Sequence, residues 1–60
     1  MQYVLLEVGA IVRHRDEPDW GLGQVQSIIG TRITVNFENQ GKVVLQGDDI
    51  PLELVSPDHL

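Results

Sequence analysis

The sequence predicts an all-β fold, a single small barrel of five strands. Five short runs rich in β-branched and apolar residues alternate with turn residues along the 60-residue chain. No stretch repeats its apolar residues with the 3.6-residue period of a helix. Isolated hairpins are unstable in a chain this short, and open sheet edges invite aggregation, so strong bending into a barrel is expected.

The first strand is predicted at residues 10–15, AIVRHR. Strict alternation turns every second side chain towards one face, namely Ala10, Val12 and His14. The run DEPD at residues 16–19 combines acidic turn formers with a proline and predicts an exposed loop. Trp20 follows, and we expect it to start the second strand and to cover one mouth of the barrel.

The second strand is predicted at residues 23–29, GQVQSII. Val25 and Ile29 share one face while Ile28 falls on the other, so a bulge or a sharp bend is expected near Ser27. The two-residue loop GT that follows has glycine first, which is typical of a type II′ hairpin turn.

Three further strands complete the predicted sheet. RITVNF at residues 32–37 alternates cleanly, and the turn ENQG ends on Gly41, which can supply a positive φ. KVVLQ at residues 42–46 leaves its two faces ambiguous. GDDIP predicts a short helical turn that Asp48 can cap, and LELV at residues 52–55 predicts the last strand. The predicted core consists of Val12, Val25, Ile29, Ile33, Val35, Phe37 and Leu54.

Composition restricts the class of protein. The length allows one domain, residues 1–60, with a core of about 8–55 and a frayed tail at 56–60, and we expect a monomer. The chain has no cysteine, and its N-terminus carries neither a signal-peptide pattern nor a membrane span, so a cytoplasmic location is expected. The net charge of −5 disfavours polyanions as partners and favours a protein, with a basic protein as one candidate.

A resemblance emerges in the segment VRHRDEPDWGLGQVQSIIGTRITVNFENQGKVV. Its order of strand, acidic loop, Trp-Gly-x-Gly-x-Val, hairpin and TVNF strand resembles a small bacterial family of domains of unknown function with an SH3-like, Tudor-like barrel. More distantly it is similar to the Tudor-like domain of UvrD-type helicases and to the RNA-polymerase-interacting domain of CarD-type regulators and the transcription-repair coupling factor. The resemblance spans about residues 8–55. It implies a module that docks on transcription or DNA-repair proteins.

Catalytic and metal sites find little support in the sequence. His14 with Asp16 and Asp19 gives the spacing H-x-D-x-x-D, which matches no strong metal pattern, so a histidine packed under Trp20 and bonded to the loop is expected. No nucleophile motif is present, so we expect no enzyme and no cofactor. The lone Gly21-Leu22-Gly23 lacks the third glycine and the helix of a dinucleotide site; we expect these glycines to let the strand bend or a neighbour approach.

Four side chains are the candidate partner-binding residues: Arg13, Arg15, Trp20 and Arg32. The arginines either form surface ion pairs with nearby acids or make a local positive contact surface. An aromatic cage for a methylated cation would need Tyr3 and Phe37 to converge on Trp20, whereas Phe37 is expected in the core. Similarly, Glu38, Asp48, Asp49 and Glu53 either serve solubility and capping or form an acidic rim for basic residues of a partner.

The function expected from these features is protein docking through an exposed strand edge beside the Trp20 loop, with RNA polymerase or a repair factor as the candidate partner. A nucleic-acid-binding small barrel is the alternative. Such barrels bind single strands with stacked aromatics in a basic groove, and this chain has few of either, so no binding is expected for the isolated domain.

Overall fold

The computed structural model describes residues 6–47 and 49–56, so the predictions for Tyr3, for Asp48 and for the end of the tail lie outside the described residues. The chain forms one antiparallel sheet of five strands, β1 to β5, in the order β4-β3-β2-β1-β5. Their bounds are Ile11–His14, Leu22–Ile29, Arg32–Phe37, Gly41–Gln46 and Leu52–Ser56. A meander of four strands whose fifth strand returns to the first is the topology of an SH3-like barrel, and the predicted fold class is confirmed.

The core lies between the two halves of the bent sheet. Six apolar side chains are buried there: Ala10, Val12, Val25, Ile33, Val35 and Phe37. The strand register explains why these side chains are on the same side of the sheet. Val25 faces Val35, and Val35 faces Val43, across neighbouring strands, and paired residues share a face. Leu54 packs against this core from β5 while remaining half-buried.

The prediction that Ile29 belongs to the core is wrong. Its side chain is 70% exposed. The predicted bulge is the reason: the register of β2 against β3 shifts between Val25 and Ser27, which leaves one extra residue in β2. After the shift Ile28 faces the buried Ile33, and Ile29 faces Arg32 on the outer face of the sheet.

Two of the three predicted turns have the expected backbone geometry. Gly30 has φ 60 and no described non-glycine residue has a positive φ, so the hairpin loop has the sign pattern of a type II′ turn. Gly41 has φ 84, as predicted for the end of ENQG. The predicted helical turn in GDDIP is absent from its described residues. The residue before a proline avoids helical angles, and Ile50, which precedes Pro51, instead packs on the core.

A single turn of 3₁₀ helix, Pro18–Trp20, forms inside the acidic loop instead. Proline suits the first position of such a turn, because its fixed φ is helical and its missing N–H is not needed there. Trp20 is therefore the last residue of this turn and not the first of β2, which begins at Leu22.

Candidate protein-docking surface

Three rings close the mouth of the barrel at the Trp20 end. The ring of Trp20 lies edge to face with that of His14, with centroids 4.6 Å apart, and with that of Phe37 at 5.2 Å. Trp20 is half-buried and packs against the core, as expected for a lid on the barrel. Phe37 is buried, so it cannot line an open aromatic cage. Trp20 is thus partly exposed, and part of its ring surface is used in packing against His14 and Phe37.

His14 holds the acidic loop in place. Its side chain is 7% exposed, and Nδ1 accepts hydrogen bonds from the backbone N–H groups of Asp16 and Glu17, each at 3.1 Å. The lone pair of Nδ1 is therefore occupied by the loop backbone, which is the role expected for His14. Within residues 6–47 and 49–56, no three His, Asp or Glu side chains are arranged to hold a metal ion.

The turn between β3 and β4 fastens the Trp20 loop from the other side. Asn39 donates its backbone N–H to the carbonyl of Trp20 at 2.9 Å and its side-chain Nδ2 to the carbonyl of Asp19 at 3.1 Å. One Glu38 carboxylate oxygen, Oε1, accepts the N–H of Leu22 at 2.9 Å. Both ends of the loop are thus tied to the sheet, so this part of the surface is preformed.

Gly21 and Gly23 each allow a close approach, but to different neighbours. A β-carbon on Gly21 would lie 2.8 Å from Oε1 of Glu38, so the missing side chain makes room for this carboxylate. A β-carbon on Gly23 would lie 2.6 Å from Val35 and 2.7 Å from Phe37 in the core. The glycines were expected to let the strand bend or a neighbouring backbone approach, but the close neighbours are side chains, from the turn after β3 at Gly21 and from β3 itself at Gly23.

The four candidate side chains do not form one patch. Arg13 and Arg15 lie at the Trp20 end of the sheet, where Arg13 faces Leu22 across β1 and β2. Arg32 begins β3 and faces Ile29, at the opposite end of β2 from Leu22. Its distance from the others is therefore of the order of 20 Å, the length of a strand of this size. Arg13, Arg15 and Trp20 lie at the same end of the sheet, and Arg32 lies at the other end.

Both arginines at this end form ion pairs. Arg13 Nε lies 3.3 Å from Oε1 of Glu53, and Arg15 Nε lies 3.3 Å from Oδ1 of Asp16. The hydrogen bond from Arg15 lowers the pKa of Asp16, and the same bond raises the pKa of Arg15. All four side chains are solvent-exposed, so the pairs add little stability and remain able to exchange partners.

Two sheet edges lie open within the described part of the chain, one along β4 and one along β5. The β5 edge starts beside the Trp20 loop, because Leu52 faces His14 and the carbonyl of Pro51 accepts the N–H of Arg15 at 2.8 Å. We call this edge, together with Arg13, Arg15 and Trp20, the docking surface.

Sequence reasoning did not assign Glu38 and Asn39 to the surface. Both were interpreted only as turn or rim residues, because their contacts with residues 19–22 arise from the pairing of β2 with β3 and not from any local pattern. The one available signal was the glycine at position 21, which indicates that something must approach closely without saying what.

Comparisons with known proteins identify the family of the chain. No curated protein and no solved structure matches the chain. In the residues that the structure describes, no helix is long and apolar enough to cross a membrane. One family model, described as "Protein of unknown function (DUF3553)", matches residues 6–55, which is most of the chain. The chain belongs to this DUF3553 family.

Proposed function

We propose that this chain is a small, non-catalytic protein-docking module whose partner binds at the docking surface. The observation that carries the proposal is the open β5 edge beside a loop that is fastened on both sides. An open edge presents unpaired backbone N–H and C=O groups, to which an extended partner segment can add as a further strand. Because the adjoining loop is already ordered, binding costs little conformational entropy there.

Side chains next to the edge provide specificity. Arg13 lies in β1, the strand beside β5, and Arg15 follows the end of β1; their exposed ion pairs can be exchanged for ion pairs with carboxylates of a partner. The partly exposed Trp20 adds an aromatic contact of the kind that is enriched at interfaces. An interface on so small a domain belongs to the low end of the size range, which fits transient binding.

The class of partner follows from charge and from the resemblance. A net charge of −5 favours proteins over nucleic acids. The resemblance of residues 8–55 to the Tudor-like domain of UvrD-type helicases and to the polymerase-binding domain of CarD-type regulators supports RNA polymerase, or a repair factor bound to it, as the first partner to test.

The test is capture of partners from a bacterial lysate and from purified RNA polymerase, using the tagged chain in three forms. These are the wild type, Arg15→Glu on the docking surface and Arg32→Glu at the other end of the sheet. Both variants change charge by the same amount at an exposed arginine. We expect Arg15→Glu to reduce capture of the wild-type partner several-fold, since reversing a rim charge weakens association.

Arg32→Glu is the matched control and should capture the partner as the wild type does. Equal capture by all three forms, with folding verified by NMR, would exclude the docking surface. Loss of capture only in Arg32→Glu would move the site to the β2–β3 hairpin. Failure of the wild type to retain any protein, including RNA polymerase, would contradict the proposed function itself.

A further inference from the structure

An open groove crosses the outer face of the sheet next to the docking surface. Its volume is about 480 Å³. The residues that line it from the outer face of the sheet include Ile11, Leu22, Gln24, Asn36 and Glu38. Ile11 faces Gln24, and Gln24 faces Asn36, so these side chains form one row across three strands, opposite the core. We call it the outer groove.

The outer groove contains one fixed negative charge. Among the described residues that line it, Glu38 is the only ionisable one, and the N–H of Leu22 holds one of its carboxylate oxygens at 2.9 Å. Because Gly21 has no β-carbon, the space that the carboxylate of Glu38 occupies is free. The carboxylate is thus oriented before any partner arrives, which lowers the cost of binding a cation there.

Two cations of the chain flank the outer groove without neutralising Glu38. Arg13, which faces Leu22, is paired with Glu53 at 3.3 Å. Lys42 faces Asn36 from β4, and in the described part of the chain it makes no ion pair with Glu38. The carboxylate therefore remains available in a protein that already carries an excess of acidic residues.

The remaining lining suits the stem and the donors of a long basic side chain. Leu22, which is 41% exposed, and the half-buried Ile11 offer apolar surface on which methylene groups can lie. Gln24 donates its Nε2 to the carbonyl of Gly9 at 3.3 Å, which leaves its side-chain oxygen as an acceptor. Asn36 supplies a second amide oxygen. One carboxylate and two amide oxygens can together accept the donors of a guanidinium or ammonium group.

We propose that the outer groove receives an arginine or lysine side chain of the docked protein, with its cation on the carboxylate of Glu38. This inference rests on the proposed docking function and specifies the chemistry of its partner. The row of lining residues is centred on β2, and β2 lies two strand spacings, or about 10 Å, from β5. A standard interface of about 800 Å² on each partner covers both.

The test uses the whole chain and a short synthetic probe. Acetyl-Gly-Val-Arg-Val-Gly-amide is titrated into the labelled protein at low salt and followed by amide chemical shifts. We expect the largest shifts at Leu22, Gln24, Asn36 and Glu38. The same peptide with citrulline, which keeps the shape of arginine without its charge, should bind at least about fivefold more weakly, as expected when a charge-assisted hydrogen bond is lost.

Glu38→Gln provides the decisive variant, because glutamine keeps an oxygen for the N–H of Leu22 while removing the charge. This variant should bind the arginine peptide at least about fivefold more weakly than the wild type. Glu17→Gln makes the same change at an exposed acid outside the lining, and it should leave the affinity for the peptide within about twofold of the wild-type value. Equal binding by the citrulline peptide, unchanged binding by Glu38→Gln, shifts centred elsewhere or no shifts at all would each overturn the proposal.

These outcomes are separable from those of the docking test. If the chain captures its partner in a manner sensitive to Arg15 but the peptide does not bind, the outer groove is excluded and the docking function stands. If the peptide binds through Glu38 and no protein is captured, the cation subsite is supported and the docking function is contradicted.

Discussion

The carboxylate of Glu38 accepts the backbone N–H of Leu22 at 2.9 Å, and its accepting oxygen lies where a β-carbon on Gly21 would be only 2.8 Å away. This relationship joins the Trp-Gly-x-Gly segment to the turn between β3 and β4. The backbone at Gly21 is a second reason for glycine at this position, because φ 78 and ψ −165 lie in a region that is open almost only to glycine.

Gly21→Ala should therefore destabilise the protein by about 2–3 kcal/mol, from the disfavoured backbone angles and the displaced Glu38 side chain. Gly30→Ala is the control, because φ is 60 there and a β-carbon would meet nothing within 4 Å. It should cost only the conformational part, about 1–2 kcal/mol. Urea unfolding of both variants measures the two losses, and a loss in Gly21→Ala no larger than that in Gly30→Ala would contradict this prediction.

Ile33 is buried in the core, whereas Ile29 lies on the outer face of the sheet, so the two isoleucines should respond differently to truncation. Ile33→Ala removes a buried side chain and should cost about 2–5 kcal/mol, which a domain of this size barely tolerates. Ile29→Ala removes a side chain that is 70% exposed and should change stability by less than about 1 kcal/mol. Thermal unfolding of the two variants tests the register of β2 against β3. A large loss of stability in Ile29→Ala would indicate that the Ile29 side chain is buried in the core after all.

The case of Ile29 shows where sequence reasoning reached its limit on the fold. Alternation and turn residues were enough to predict five strands, their order along the chain and most of the core. The bulge itself was predicted near Ser27, yet the side of the sheet that each later residue faces depends on where the extra residue is inserted. A shift of one position reverses the two faces, and a single sequence does not fix that position.

The candidate surface was predictable only where its contacts are local. The bonds of His14 to the next residues of the loop could be expected from their nearness in the chain. In contrast, the contacts of Glu38 and Asn39 with the Trp20 loop, and the separation of Arg32 from Arg13, depend on how β2 pairs with both neighbouring strands. Such pairing is non-local, so residue patterns alone could not group these side chains.

His14 should control the order of the acidic loop through its Nδ1. His14→Leu leaves the N–H groups of Asp16 and Glu17 without their acceptor, whereas His14→Asn offers an amide oxygen to the same two groups. Amide hydrogen exchange at these two residues, compared with β3 as an internal reference, should accelerate strongly in the leucine variant and much less in the asparagine variant. Equal acceleration in both would show that ring packing, not the hydrogen bonds, holds the loop.

The ion pair between Arg15 and Asp16 predicts a specific pH response. Because the hydrogen bond with Arg15 lowers the pKa of Asp16 in the folded protein, the pair stabilises the fold above the pKa of the unfolded carboxyl. That contribution is lost as the pH falls through the lowered pKa, and it is small because both groups are exposed. Carboxyl-detected NMR should show the midpoint of Asp16 rising in Arg15→Gln; an unchanged midpoint would contradict the pairing.

The isolated chain should not bind DNA or RNA at physiological salt. The whole chain has four Lys and Arg residues against nine Asp and Glu. Arg13 and Arg15 are already paired with acids, and Arg32 lies at the far end of the sheet from them. A groove for a single strand needs basic residues along its length and aromatic rings for base stacking, whereas Phe37 is buried and Trp20 is mostly committed to packing.

Fluorescence anisotropy with labelled single-stranded and duplex oligonucleotides at several salt concentrations provides the measurement. Micromolar affinity that falls steeply with salt would replace protein docking with nucleic-acid binding as the function of this barrel.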